Sequence, residues 1–137
     1  MHLFLNLVLQ LFISGPGVLI AGGNAGSTLN IVELLNLETM TSCEVTVTLD
    51  QPRQIHTGDG NMVCGGYNGN NLISTCYNIV TGNTITLIDG RASHTSWSIG
   101  SSIYLLGGWG SDANVGRTSE VITGDTTQKA FELGYDN

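Results

Sequence analysis

The sequence predicts an all-β protein built from a repeated antiparallel unit, and the spacing of its glycines is the main reason. Two adjacent glycines recur three times, at Gly22-Gly23, Gly65-Gly66 and Gly107-Gly108, separated by 43 and then 42 residues. Each pair closes a short apolar run, and glycine allows the backbone to turn sharply where a strand ends. A fixed period of this length is typical of repeat architectures.

A second element repeats in phase with the glycine pairs. Arg53 and His56 belong to the stretch Arg-Gln-Ile-His-Thr, and Arg91 and His94 belong to Arg-Ala-Ser-His-Thr, which begins 38 residues later. This element precedes the second and the third glycine pair, so we interpret it as the first strand of the repeating unit.

A third, β-favouring element follows each glycine pair, at 30–34, 74–78 and 118–122. Turn-forming residues follow it at 81–83 and 123–125. The unit therefore predicts four short strands: the Arg-x-x-His-Thr segment, the apolar run, the third element and a strand after the turn.

This unit resembles the kelch repeat of β-propellers, which combines Arg-x-x-His-Thr, a Gly-Gly doublet and a turn before the outermost strand. The resemblance covers about residues 18–133 of the predicted repeat region 16–137. It implies a propeller segment of about three four-stranded antiparallel blades, at about 18–50, 51–88 and 89–133, with the first blade incomplete.

Three blades would leave two flat apolar faces uncovered, because propellers usually close with four to eight blades. We expect either a fragment of a longer propeller or an association of copies, in which a dimer would assemble six blades. The fragment is favoured, since the sequence stops where the next Arg-x-x-His-Thr strand would begin.

The first fifteen residues are an apolar leader. Leu3 to Ile13 is apolar except for Asn6 and Gln10, too short to span a bilayer but the right length for the hydrophobic part of a secretory signal. No lysine or arginine precedes it, and a buried inner strand or an artefact of gene prediction are the alternatives. The signal interpretation predicts a secreted or extracellular protein, with a cytoplasmic one as the alternative.

Two of the three cysteines are placed to form a disulfide. Cys64 ends the strand before Gly65, and Cys76 lies on the strand that leaves the same hairpin. Facing side chains on antiparallel neighbours lie within about 5 Å, which a disulfide can bridge. Two buried free thiols are the alternative. Cys43 is left over, and no cysteine or histidine spacing indicates zinc.

Charge argues against nucleic acid as a partner. The chain has 4 lysines and arginines against 11 aspartates and glutamates, a net charge of −7, and its basic residues do not cluster. Such a surface repels phosphates and anionic membranes.

The repeated histidines raise the question of a metal site. His56 and His94 occupy equivalent places in adjacent repeats, so their imidazoles could approach each other. A metal would need a third ligand, and the remaining histidine, His2, lies in the leader. We therefore expect both histidines, like the six paired glycines, to be structural, and we predict no metal and no cofactor.

The repeated arginines are also expected to be structural. The guanidinium groups of Arg53 and Arg91 can bond several carbonyl oxygens, or an acidic partner such as Asp50 or Asp89.

No catalytic constellation is visible. A copper radical oxidase would need a Tyr-His pair, which does not occur. A sialidase would need an arginine triad and an acidic nucleophile, and the serines and aspartates show no Asp-box pattern; Gly-x-Ser-x-Gly and a phosphate loop are also absent. The alternative to a non-catalytic protein is a fragment of an extracellular galactose-oxidase-like or glycan-active propeller enzyme whose catalytic residues lie outside this chain.

The loops after the glycine pairs are the best binding candidates, because Tyr67 and Trp109 begin two of them at the same repeat position. Equivalent loops of a propeller emerge on one face, where binding residues concentrate. The alternative is that both rings only cover the hairpin, and Trp97 is expected in the core. We predict a binding module for a protein partner or a glycan, with these binding residues: Tyr67, Asn70, Trp109, Asp112, Asn114 and Arg117.

Overall fold

The computed structural model describes residues 17–110 and 118–132, and their regular structure consists of β-strands. No helix in these ranges is long and apolar enough to cross a membrane. The predicted leader at 1–15 lies outside the described residues. The strands are β1 (Gly17–Ala21), β2 (Ile31–Asn36), β3 (Thr41–Thr48), β4 (Thr57–Asp59), β5 (Met62–Cys64), β6 (Thr75–Asn78), β7 (Thr84–Thr86), β8 (Arg91–Ala92), β9 (Thr95–Ile99), β10 (Ser102–Leu106), β11 (Trp109–Gly110), β12 (Thr118–Thr123) and β13 (Thr126–Glu132).

Three antiparallel sheets follow one another along the chain. The first joins β1, β2 and β3, the second joins β4 to β7, and the third joins β9, β10, β12 and β13, each in sequence order. β8 and β11 form a separate two-stranded ribbon. The all-β prediction is confirmed, and none of the sheets closes on itself within the described ranges.

The Arg-x-x-His-Thr segment is not a strand of the main sheets, contrary to the sequence-based prediction. β4 begins at Thr57 and β9 at Thr95, so only the final threonine enters each strand. The residues before the two histidines, Ile55 and Ser93, have positive φ angles of 49° and 54°. A left-handed residue at this point bends the chain, which prevents a continuous strand from the arginine to the threonine.

Hydrophobic clusters fill the spaces between successive sheets. There are two such clusters among the described residues, one on each side of the second sheet. Strand β5 contributes to both of them, because its alternate side chains point to opposite faces. The middle sheet is therefore packed on both sides. Between the first and second sheets lie Val32, Leu49, Val63 and Ile79, with Leu19, Ala21, Val45, Val47 and Tyr77 against them. Between the second and third lie Cys64, Cys76, Leu87, Leu105 and Ile122, with Met62, Ile85 and Ile103.

The predicted disulfide is confirmed. Cys64 and Cys76 are directly opposed in the β5–β6 ladder and are joined by an S–S bond of 2.06 Å. Both cysteines are buried in the cluster between the second and third sheets. Cys43 is a free, exposed cysteine on β3. The cross-link thus lies inside a junction between sheets.

Trp97 is not in the core, and that prediction is wrong. It stands on the far face of the third sheet, where its side chain is 37% exposed and stacks on Tyr104 with ring centroids 5.8 Å apart. The opposite face of that sheet packs against the second sheet through Leu105. Trp97 is exposed because none of the described sheets covers its face.

Replacing both Cys64 and Cys76 with alanine is expected to lower the free energy of unfolding by about 3 kcal/mol, because the cross-link restricts the unfolded chain. Urea denaturation measures the change. Cys43→Ala is the matched control and should leave the unfolding midpoint unchanged, since its side chain is exposed. Equal stability of the double variant and the control would contradict a stabilising role for the bond.

Candidate ligand-binding groove

An open groove of about 470 Å³ lies beside the connections that leave the second and third glycine pairs. The described residues that line it are all uncharged, so the groove suits an uncharged ligand or an uncharged part of a larger one. They are Tyr67, Asn70, Asn71, Leu72, Ser74, Gly90, Trp109 and Gly110.

The rings of Tyr67 and Trp109 form two walls of this groove. Their centroids are 6.2 Å apart and their planes are inclined by 44°. Trp109 is 51% exposed. Each residue directly follows its own glycine pair, so the fold brings together two aromatic side chains from equivalent repeat positions.

Backbone pairing fixes both aromatic residues to the arginine-containing segments. Tyr67 donates its N–H to the carbonyl of Gln54 at 2.9 Å and accepts the N–H of Gln54 at 3.0 Å. Trp109 is the antiparallel register partner of Ala92 in the β8–β11 ribbon. Gln54 and Ala92 each directly follow a repeated arginine, so the walls of the groove depend on how those arginines are held.

The loop at one rim is a compact asparagine turn. The side-chain oxygen of Asn68 accepts the backbone N–H groups of Asn70 and Asn71 at 2.9 and 2.8 Å. Asn68 also donates its own N–H to the carbonyl of Asn71 at 3.1 Å. The Tyr67 hydroxyl donates to the Gly69 carbonyl at 2.9 Å. These bonds order the loop without a ligand.

Arg53, which is fully buried, ties this loop to its own sheet. Its guanidinium donates to the carbonyl oxygens of Gly65 at 3.0 Å and Thr75 at 2.8 Å, the two sides of the connection that carries Tyr67. It also donates to both carboxylate oxygens of Asp50, at 3.0 and 2.8 Å. Such fork-like pairing satisfies the buried charge and fixes its orientation.

Arg91 repeats this pattern in the third sheet with a different acid. It is fully buried and donates to the Gly107 carbonyl at 2.9 Å and the Thr118 carbonyl at 3.2 Å. Its acidic partner is Glu120 on β12, at 2.7 Å, and the expected pairing with Asp89 is wrong.

The Glu120 carboxylate replaces the one that Asp50 supplies in the preceding repeat. Its Oε1 accepts the N–H of Ile88 at 2.5 Å, and Ile88 stands three residues before Arg91, as Asp50 stands three before Arg53. The carboxylate therefore reaches the same place from a strand instead of from the preceding loop.

The backbone of each arginine binds the preceding sheet. The carbonyl of Arg53 accepts the N–H of Gly23 at 2.7 Å, and the carbonyl of Arg91 accepts the N–H of Gly66 at 2.8 Å. One residue thus links two sheets, its side chain bound to its own sheet and its carbonyl to the one before. This link sets the spacing between the equivalent loops that carry Tyr67 and Trp109.

The close approach at this link explains the glycine at position 65. Gly65 has φ +61°, and a Cβ atom there would lie 2.4 Å from the Arg91 carbonyl oxygen. The turn needs glycine for its positive φ angle, and the close approach to the Arg91 carbonyl needs a residue without a side chain. Glycine at position 65 therefore serves both the turn and the junction between sheets.

Both repeated histidines contact the preceding sheet. His94 Nε2 lies 2.8 Å from the Thr57 hydroxyl oxygen on β4. Burial, together with the nearby charges of Arg91 and His56, lowers the pKa of His94 to about 4. Burial and Arg53 also lower the pKa of His56, while a hydrogen bond with the Ala21 backbone opposes that shift. No cluster of three or more potential metal ligands occurs among the described residues.

The structure places Tyr67, Asn70 and Trp109 of the predicted binding residues in one groove. Asp112, Asn114 and Arg117 lie outside the described residues. Sequence reasoning missed Leu72, Ser74 and Gly90, because these small or apolar residues have no chemical signature; Leu72 and Ser74 line the groove where the loop returns to β6, and Gly90 lines it from the connection after β7.

Comparisons with known proteins reveal the fold but no family. No protein-family model matches the chain, and no curated protein sequence matches it significantly. A solved structure titled "Structure of YjhT" matches with a TM-score of 0.66 at 13% sequence identity, over 92% of this chain and 52% of that one. The chain thus spans about half the length of this structural neighbour, and the likeness concerns the fold alone.

Gly65→Ala is expected to destabilise the protein by at least ~2 kcal/mol more than Gly60→Ala, because the added methyl group collides with the Arg91 carbonyl. Gly60 is a matched control, since its φ of +58° is nearly that of Gly65 but a Cβ there meets nothing within 4 Å. Gly60→Ala should cost only the ~1 kcal/mol of a left-handed alanine. Chemical denaturation of both variants measures the difference, and equal losses would refute the close approach.

Acid is expected to destabilise the fold through His94. The folded-state pKa of about 4 lies below the ordinary value of 6.5, so the unfolded chain takes up this proton first as pH falls. The stabilisation is complete above pH 6.5 and is lost progressively down to about pH 4, amounting to about 3 kcal/mol.

The check compares the free energy of unfolding of the wild-type protein and His94→Gln between pH 7.5 and 4. Glutamine can still hydrogen-bond Thr57 but does not titrate, so the difference between the two proteins should shrink toward acid pH. Parallel stability curves would show that His94 does not contribute.

Proposed function

We propose that this chain is a kelch-like β-propeller segment that acts as a non-catalytic binding module, with the aromatic groove receiving a segment of a protein partner. The observation that carries the proposal is the convergence of Tyr67 and Trp109 from equivalent loops, with their ring centroids 6.2 Å apart. Three successive antiparallel sheets with repeated junctions support the propeller arrangement, and the match to a solved structure about twice as long is consistent with a larger array of such sheets.

The groove has the composition of a protein-interaction anchor. Exposed tryptophan and tyrosine are the residue types enriched at energetic centres of interfaces. Because Trp109 is 51% exposed while its backbone is paired in the β8–β11 ribbon, its ring is accessible yet positioned. Positioning reduces the entropy that a ligand must overcome on binding.

The inclination of the rings favours an inserted side chain over a sugar. With centroids 6.2 Å apart the two rings contact each other, and their tilt of 44° presents two inclined faces and not one flat platform, so an apolar side chain can pack against both Tyr67 and Trp109 at the mouth of the groove. The described residues of the rim are uncharged, and Asn70 and Ser74 among them offer amide and hydroxyl groups to a peptide backbone. An extended uncharged segment with one bulky apolar residue is therefore the ligand that the groove fits best.

The chain's two tryptophans allow a direct test of this proposal. In Trp97→Phe the only tryptophan is Trp109, so its fluorescence reports the groove. The full chain, immobilised, selects peptides from a random library, and titration of selected peptides into Trp97→Phe should shift the emission. Trp109→Ala and Tyr67→Ala should each weaken peptide binding at least about tenfold, the effect of an interface anchor.

The control is Trp97→Ala, which removes an aromatic residue from a different surface and should leave peptide affinity unchanged. Melting temperatures of the Tyr67 and Trp109 variants should stay near that of the wild-type protein, and their unfolding would make these residues structural instead. Selection of no peptide, or binding of neutral glycans with the same dependence on Trp109, would overturn the protein-ligand proposal.

A further inference from the structure

The stack of three sheets ends in two outward faces on which large apolar side chains are exposed, although Glu33 and Glu44 also lie on the first of them, next to Ile20 in register. We call the outward side of the first sheet the leading face, where Val18 and Ile20 are 45% and 44% exposed. We call the outward side of the third sheet the trailing face, where Trp97 and Ile99 are 37% and 59% exposed. Both faces consist of regular strands and present large apolar side chains to solvent. Exposed apolar patches on folded proteins often mark interaction surfaces.

Repeat positions show that the leading face corresponds to a junction surface that no described sheet covers. The residue two before each glycine pair is Ile20, Val63 or Leu105. Val63 and Leu105 are 3% and 0% exposed, because the preceding sheet packs on each of them. Ile20 holds the same position on the first sheet, and no described sheet precedes it.

The trailing face is the opposite kind of junction surface. The residue three before each glycine pair is Leu19, Met62 or Tyr104. Leu19 and Met62 pack in the clusters that lie against the following sheet. Tyr104 has no described following sheet, and its ring stacks on Trp97 with a 15° angle between their planes. The trailing face therefore corresponds to the sides of the first and second sheets that the next sheet covers within the molecule.

We propose that two copies of this chain associate head to tail, the trailing face of each copy packing on the leading face of the other. Each contact would reproduce the kind of junction that the chain already makes twice. Head-to-tail contacts cover every face only when the copies form a closed ring. Two copies would form such a ring, with two-fold symmetry and six sheets. The inference rests on the propeller arrangement proposed above.

The length of the structural neighbour supports a ring of two copies. The chain matches 52% of that protein, so the neighbour contains about one more chain length beyond the part that matches. A second copy supplies that length and the two missing junction surfaces at once. Burial of the apolar side chains on both faces provides the driving force.

Sedimentation equilibrium of the full chain tests the association. We expect a single species of twice the 14.5 kDa chain mass over the micromolar range. A monomer throughout that range overturns the proposal, as does a ladder of growing oligomers, which would mean that the contact does not close.

Substitutions on the two faces test the head-to-tail geometry. Val18→Lys disables the leading face and Ile99→Lys the trailing face, and both positions are exposed enough for the monomer to tolerate the change. Each variant alone should be monomeric. Their equimolar mixture should recover a dimer, because the intact trailing face of Val18→Lys can pack on the intact leading face of Ile99→Lys. Met40→Lys, at a 69% exposed position in the β2–β3 turn, should remain dimeric.

Each remaining outcome decides the question. Dimers that survive either face substitution, or a mixture that stays monomeric, overturn the head-to-tail contact. Circular dichroism and melting confirm that the variants are folded; should a lysine variant unfold, Val18→Ser and Ile99→Ser repeat the test more mildly. Monomeric variants should still bind groove peptides with unchanged affinity, so failure of the dimer leaves the proposed binding function testable on its own.

Discussion

The arrangement of the sheets depends on a buried arginine, Arg53 or Arg91, that is hydrogen-bonded to two neighbouring sheets. In the second and third repeats the guanidinium binds the glycine carbonyl of its own sheet, at Gly65 or Gly107, while the arginine's carbonyl accepts a glycine N–H from the sheet before. Breaking a buried charge pair typically costs about 3–5 kcal/mol, so a displaced arginine would strain both sheets at once. Each repeat therefore supplies both a sheet and the arginine that links this sheet to the preceding one.

This constraint explains why the carboxylate partner can move while the arginine stays. Arg53 is bound by Asp50 from the preceding loop and Arg91 by Glu120 from a strand, yet the two arginines bond equivalent pairs of backbone carbonyls in their own sheets. A guanidinium has five donors and needs a negative charge nearby, but the charge can approach from more than one side. The position of the carbonyls, in contrast, is fixed by the sheet.

The groove is a consequence of the same junctions. Tyr67 and Trp109 come from different repeats, and their rings meet because each is paired to the residue that follows a buried arginine. The hydrophobic clusters on both sides of the middle sheet fill the spaces between it and the neighbouring sheets. A rigid scaffold with short, ordered loops at one place is a common basis for binding.

The sequence by itself determined the periodic features, because they follow from local rules. Glycine pairs mark strand ends, apolar runs and β-favouring segments mark strands, and opposed Cys64 and Cys76 follow from the short hairpin between them; all three are visible without neighbours in space. It also singled out Tyr67 and Trp109 as equivalent. Only the tertiary structure decided that the Arg-x-x-His segment bends out of the strand, that Glu120 neutralises Arg91, and that Trp97 is exposed. These depend on how one repeat packs against the next, and contacts between distant residues leave no trace in local spacing.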